Sequence, residues 1–164
     1  MKTFLFLLLF AAGTVLGQIS PNHRFTVFYF GGSDCPYCVD DKNIAHIDKM
    51  RTELPKKYAP MSVKFVMVVM DNSLELGIKF VRKYLPWDEI SIGQFYGNEL
   101  MLEHVNRTPI PGVPHIMIYD DSLLLDKSNI PTIKKRTRLL DLVGKSAIAK
   151  WIESGYPLER GLTK

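Results

Sequence analysis

The chain has 164 residues, 46% of them hydrophobic, and a formal net charge of +4. That length suits one domain with room for a real core. Its basic residues are scattered apart from Lys134-Lys135-Arg136 with Arg138, and acidic residues are spread elsewhere, which excludes a nucleic-acid stripe and reads as a solvated loop.

The chain opens like a secretory leader. Lys2 supplies a positive start, residues 4–12 are an unbroken apolar run, and Val15-Leu16-Gly17 offers a cleavage site. The run falls short of the roughly 20 apolar residues of a membrane span, and no later segment comes closer. The expected division is a signal peptide over 1–17 and one domain over 18–164, or 164 − 17 = 147 residues. Such a chain is exported, to a periplasm or to the outside, with no stable membrane span after cleavage. An uncleaved signal anchor is the alternative.

Residues 25–30, rich in β-branched and aromatic side chains, read as a buried strand. Gly31-Gly32-Ser33-Asp34 breaks it and can cap the next element. A helix is expected from Cys35 or Pro36 to about Leu54, with Ile44, Ile47, Met50 and Leu54 on one face and Pro55 as its stop. Residues 63–70 are nearly all apolar, as in a central strand covered on both faces. Asn72 with Glu75 looks like a capping pair for a second helix to about residue 84. Residues 86–88 read as a turn, Asn98 as the cap of a short helix to 105, and the prolines of 108–112 forbid regular structure. After these come a strand over 115–119, a turn at Asp120-Asp121 and an edge strand near 138–143. Ser146 then caps a last helix carrying Ile148, Trp151 and Ile152. The order β-α-β-α-(α)-β-β-α is that of an α/β domain, with a mixed sheet between two helical layers.

There are two cysteines, three positions apart. A bridge over so short a loop constrains the unfolded chain little, so in an exported chain the pair reads as chemistry rather than as a staple. A thiolate is the attacking species in disulfide exchange. A cysteine in a helix's first turn ionises more readily, because free N–H groups and the helix dipole favour the anion. Cys35 falls at the expected strand-to-helix junction and is the expected attacker; Cys38, a turn further in, is the expected resolving partner. Pro36 suits a first helical turn, whereas Asp34 opposes a thiolate at Cys35 somewhat. A zinc site would need two more ligands, and the four histidines, His23, His46, His104 and His115, form no paired spacing.

The segment Val27-Phe-Tyr-Phe-Gly-Gly-Ser-Asp-Cys-Pro-Tyr-Cys38 resembles the active-site strand and helix start of the thioredoxin superfamily. Gly112-Val113-Pro114, directly ahead of the strand over 115–119, resembles that family's cis-proline turn. The gap between the two motifs is similar to that of exported TlpA-type reductases and tryparedoxins. The resemblance implies a thioredoxin fold and a cis bond before Pro114. It also implies a substrate-contacting set of Pro36, Tyr37, Val113 and Pro114, with Val113 offering backbone groups to an extended substrate. The tryptophan usual before the first cysteine is replaced by Asp34, and the buried acid under the site falls at Tyr29. Asp41 matches a glutamate of TlpA-type proteins and is a candidate for proton transfer at Cys38, or a solvated first-turn acid.

The leading expectation is a monomeric thiol–disulfide oxidoreductase without a cofactor, working on protein thiols and disulfides with a separate recharging partner. A thioredoxin-fold peptide-binding module with an inert disulfide is the second reading. Metal shuttling by Cys35, Cys38 and His115 is the third.

Overall fold

A run of apolar and aromatic residues, His23–Gly31, forms β1 at the centre of a five-stranded sheet. The computed structural model describes residues 23–94, 97–128 and 130–158; the expected leader over 1–17 lies outside them. β1 leads to helix α1, Asp41–Lys57, and to β2, Ser62–Val69, which pairs parallel to β1 with Val27 opposite Phe65. Helix α2, Leu74–Val81, returns the chain to β3, Glu89–Ile92, parallel to β2. After α3, Glu99–Glu103, and a 3₁₀ turn over Val105–Arg107, β4 (His115–Leu125) runs antiparallel to β1. β5, Pro131–Val143, pairs antiparallel to β4, and α4, Lys145–Glu153, closes the fold. The sheet order is β3-β2-β1-β4-β5, the mixed sheet with helices on both faces that the thioredoxin resemblance implied.

Strand alternation sorts the core into two layers. Val27, Tyr29, Met67, Val69, Ile116 and Ile118 form one core with Ile47, Met50 and Leu54 of α1, Phe80 of α2, and Trp151 of α4. Phe28, Phe30, Val66, Val68, Met117 and Tyr119 form the other, covered by Met101 and Val105 of the α3 region. Helix α2 packs closely on β3, so a Cβ at Gly77 would overlap the Ile92 side chain.

Several expectations are corrected. Helix α1 starts at Asp41, not near Cys35, because the Asp40 side chain takes the first free N–H groups, those of Lys42 and Asn43. Pro55 does not stop it: the loss of one N–H in the last turn is tolerated, and the helix closes through Tyr58 N–H to the Leu54 carbonyl. Ser73 rather than Asn72 caps α2, accepting from the Leu76 N–H. The capping residue of α4 is Gly144, at φ 90°, with no side-chain cap. β3 stands where no strand is expected; Asp88, whose carboxylate accepts from Phe65 N–H at 2.7 Å, docks it onto β2. Asp120-Asp121 is no turn either. β4 continues to Leu125, and the hairpin turns beyond it.

Candidate active site

Three elements meet at the carboxyl end of β1. Gly31 and Gly32 end the strand, and Ser33 is anchored to Asp71, just past β2, which accepts from the Ser33 N–H at 2.9 Å and from its hydroxyl at 2.5 Å. Cys35 and Cys38 come next in an isolated turn, with Cys38 N–H to the Cys35 carbonyl at 2.9 Å and Val39 N–H to the same carbonyl at 3.2 Å. The two cysteines form a disulfide, with their Cα atoms 5.1 Å apart. Helix α1 begins only at Asp41, well past Cys35, so its dipole is not what faces that sulfur. What does face it is local: the Cys38 N–H points at the Cys35 Sγ from 3.1 Å.

The sulfurs differ in access. Cys38 is 0% exposed, while Cys35 is partly open and Tyr37 between them is 60% exposed. Opposite Cys35 stands the Gly112-Val113-Pro114 loop, whose Val113–Pro114 bond is cis. The Val113 carbonyl oxygen lies 3.6 Å from the Cys35 Sγ. That approach is a contact in the disulfide, which has no S–H to donate, and becomes a weak hydrogen bond when Cys35 is a thiol. A cavity of about 320 Å³ opens beside Cys35, lined by Gly32, Asp34, Met70, Asp71, Asn72 and Val113. The structure therefore brings Cys35, Cys38, Val113 and Pro114 together, with Pro36 and Tyr37 exposed on the rim. Asp41 is exposed at the first turn of α1, where its charge suits the helix dipole. No hydrogen bond joins it to either cysteine among the described residues.

Beneath Cys38 lies a buried polar cluster. Tyr84 donates its hydroxyl to the Cys38 carbonyl. The Tyr29 hydroxyl sits 3.2 Å from that of Tyr84, and Asn43 Nδ2 donates to Tyr29 at 3.0 Å and to Tyr84 at 3.2 Å. Because Tyr84 spends its proton on the carbonyl, Tyr29 donates to Tyr84 and Asn43 donates to both. Burial pushes the Tyr29 phenol well above its ordinary value, and burial likewise raises Tyr84. Both stay neutral donors, so the position where thioredoxins carry a buried acid holds a group that neither gains nor loses charge near neutral pH. At the helix cap, the hydrogen bond from Lys145 at 3.1 Å, with those from the first-turn N–H groups, holds the Asp40 carboxyl below its usual range.

His115 does not approach the sulfurs. It is 0% exposed, and its ring nitrogens face Gly112 and Asp141 instead. Among the described residues no group of three or more His, Cys, Asp or Glu side chains is arranged to hold a metal ion. The metal-shuttling arrangement with His115 is thus not assembled here.

Asp71, Tyr84 and Asn43 join the site without having stood out in the sequence. A signal for Asp71 was present: an acid directly after a central parallel strand sits beside the end of its neighbour, where α/β sites lie. Nothing local marks Asn43 and Tyr84, which join Tyr29 only across the fold.

No family model matches the chain, and no curated protein matches it. Among solved structures it is similar to the thioredoxin domain of a thiol-disulfide oxidoreductase from Bacteroides vulgatus, at 15% identity over 82% of this chain and 80% of that one, with a TM-score of 0.45. It is also similar to StoA from Bacillus subtilis, at 20% identity over 81% and 85%, TM-score 0.43. A third is a cysteine-to-alanine mutant of tryparedoxin-I, at 15% identity over 80% and 77%, TM-score 0.46. Likenesses this distant say nothing of the site's chemistry; the geometry of the two sulfurs does.

Proposed function

We propose that the chain is a thiol–disulfide oxidoreductase that works on protein thiols and disulfides outside the cytoplasm. One observation carries the reading: of two bonded sulfurs, one is open beside a cavity and the other is sealed behind it. In the reducing direction the Cys35 thiolate attacks a substrate disulfide. A Cys35–substrate S–S bond forms, and the other substrate sulfur leaves as a thiolate. Cys38 then attacks Cys35, closes the intramolecular disulfide and releases the second substrate sulfur. The oxidising direction is the reverse. The Cys38 N–H at 3.1 Å supports an anion on Cys35, Val113 and Pro114 form the wall along which an extended substrate lies, and Pro36 and Tyr37 form the rim it crosses.

In this reading Asp41 is the proton-transfer candidate at the mouth of the turn, in contact with water rather than with sulfur. A separate redox partner recharges the pair, and the protein works as a monomer. No helix of the described residues is long and apolar enough to cross a membrane. Export rests on the leader, and the exported chain is expected to begin at Gln18; intact mass of protein recovered from a secreting host checks this, and a chain retaining Met1 would refute it.

Reduction of insulin disulfides in the presence of dithiothreitol tests the activity. The wild type is expected to accelerate precipitation of the insulin B chain, and Cys35→Ser is expected to run at the uncatalysed rate. Equal rates for the two proteins would remove the enzymatic reading and leave a peptide-binding module with an inert disulfide.

A further inference from the structure

Three consecutive carbonyls of the substrate wall have three different fates. The Gly112 carbonyl faces His115 Nδ1 at 3.2 Å. The Val113 carbonyl lies 3.6 Å from the Cys35 Sγ. The Pro114 carbonyl accepts from the Gly144 N–H at 2.8 Å. The outer two are tied to the protein and the middle one is aimed at the reacting sulfur. The tie at Pro114 is made by the backbone alone, but the tie at Gly112 depends on a side chain.

That side chain is itself held. His115 Nε2 lies 2.6 Å from Asp141 Oδ1, and Arg138 Nη1 lies 2.8 Å from Asp141 Oδ2. The Phe30 ring of β1 packs edge-on against the imidazole at 5.9 Å, so the ring is wedged between β1 and β5 with no solvent exposure. The charged groups facing it among the described residues are Asp141 and, behind it, Arg138, both from β5. The Gly112 carbonyl is an acceptor, so the tie to it takes an N–H on Nδ1.

Resting on the redox reading of Cys35 and Cys38, we propose that His115 is a positioning residue for protein substrates: by bridging the Gly112 carbonyl to Asp141 it fixes the direction in which Val113 presents its backbone beside Cys35. Without the bridge the Gly112–Val113 peptide plane is free to rotate, and the pairing edge offered to an extended substrate is no longer preset. A small disulfide, which touches only the sulfur, does not use that edge. The bridge therefore matters for binding long substrates and not for the exchange chemistry.

The experiment compares wild type, His115→Phe and Asp141→Asn on two substrates, insulin and hydroxyethyl disulfide. Phenylalanine keeps a flat ring beside Phe30 but has no N–H. Asparagine leaves the histidine in place and removes the carboxylate at a position that reaches solvent. Loss of one preset hydrogen bond corresponds to a rise of about five- to tenfold in KM for insulin. The turnover number is expected to hold, and kcat/KM for hydroxyethyl disulfide to stay within about twofold of wild type. The ¹⁵N spectrum of wild-type His115 should show a proton on Nδ1, the nitrogen that faces the Gly112 carbonyl. An unchanged KM for insulin in both variants, an equal loss on both substrates, or a bare Nδ1 in the wild type would each overturn the proposal. A wild type inert towards both disulfides would overturn the redox reading and this proposal with it. Should His115→Phe fail to fold, Asp141→Asn and the wild-type spectrum decide the matter alone.

Discussion

Replacing Cys38 with serine should convert the protein from a turnover catalyst into a covalent trap. Cys38 is sealed from solvent, and the one other cysteine of the sequence, Cys35, stands across a Cα separation of 5.1 Å. A group held so close attacks with an effective concentration on the order of 10⁵ M, against which a millimolar external thiol is a poor substitute. Release of the mixed disulfide should therefore slow by on the order of 10³-fold or more, while the first attack by Cys35 is left intact. Serine is slightly smaller than cysteine, and the backbone contacts of the turn, Cys38 N–H to Cys35 and the Cys38 carbonyl to Tyr84, survive the change. Incubating Cys38→Ser with a disulfide-bonded protein and running the mixture on a non-reducing gel should show an adduct that dithiothreitol dissolves. Cys35→Ser should show none. Adduct on Cys35→Ser, or none on Cys38→Ser, would reverse the roles assigned to the two sulfurs.

The same two sulfurs show how far the sequence could be read. The aromatic run of β1 and the glycines that end it are local signals and lie where the pattern placed them; the paired cysteines were as plain to see, but they bond in a turn ahead of α1 rather than in its first turn. Val113-Pro114 opposite Cys35 was legible through the thioredoxin resemblance and not from any local rule, since a valine–proline step ahead of an apolar strand does not by itself say what it faces. The start of α1 was not legible, because a break with a capping acid just ahead of the cysteines reads as the helix start. The local pattern puts the cap among residues 31–34, and only the fold reveals that Asp40 holds the first free N–H groups, with Lys145 from α4 orienting it. The polar cluster under Cys38 was illegible for a related reason. Tyr29, Asn43 and Tyr84 come from a strand, a helix and the turn after another helix, and no spacing rule links them. The hairpin departs furthest from its local pattern: two adjacent aspartates look like a turn to any local rule, and the run 134–136 looks like a basic loop. Instead Asp121 faces Arg136, and the two apparent breakers hold β4 and β5 together.

That pairing should make Asp121 the residue on which the stability of the sheet depends most steeply. Asp121 is 0% exposed. Arg136 donates to it through Nε at 2.7 Å and Nη2 at 2.9 Å, and Thr26 of β1 donates at 2.6 Å. Arg24 lies 3.6 Å away, so one carboxylate joins β1, β4 and β5. Arg136 also lies over the rings of Phe28 and Tyr119, at 5.3 and 5.4 Å from their centroids. Burial by itself pushes the Asp121 carboxyl up. The Arg136 fork, the Thr26 hydroxyl and the nearby arginine charges outweigh it and hold the group below the ordinary carboxylate value. A carboxyl depressed in the folded state contributes its full stability above the unfolded value of about 3.9 and loses it as pH falls through the folded value. Removing one partner of a buried pair typically costs about 3–5 kcal/mol. Asp121→Asn should cost about 3 kcal/mol at neutral pH, the lower end of that range, because both arginines still reach water. Urea unfolding at neutral pH and again near pH 3 checks both halves. The variant should unfold at lower urea at neutral pH, and the gap to wild type should narrow in acid as the wild-type carboxyl takes up its proton. An equal midpoint at neutral pH, or a gap that widens in acid, would show that the hydrophobic layers alone hold β1, β4 and β5 in register.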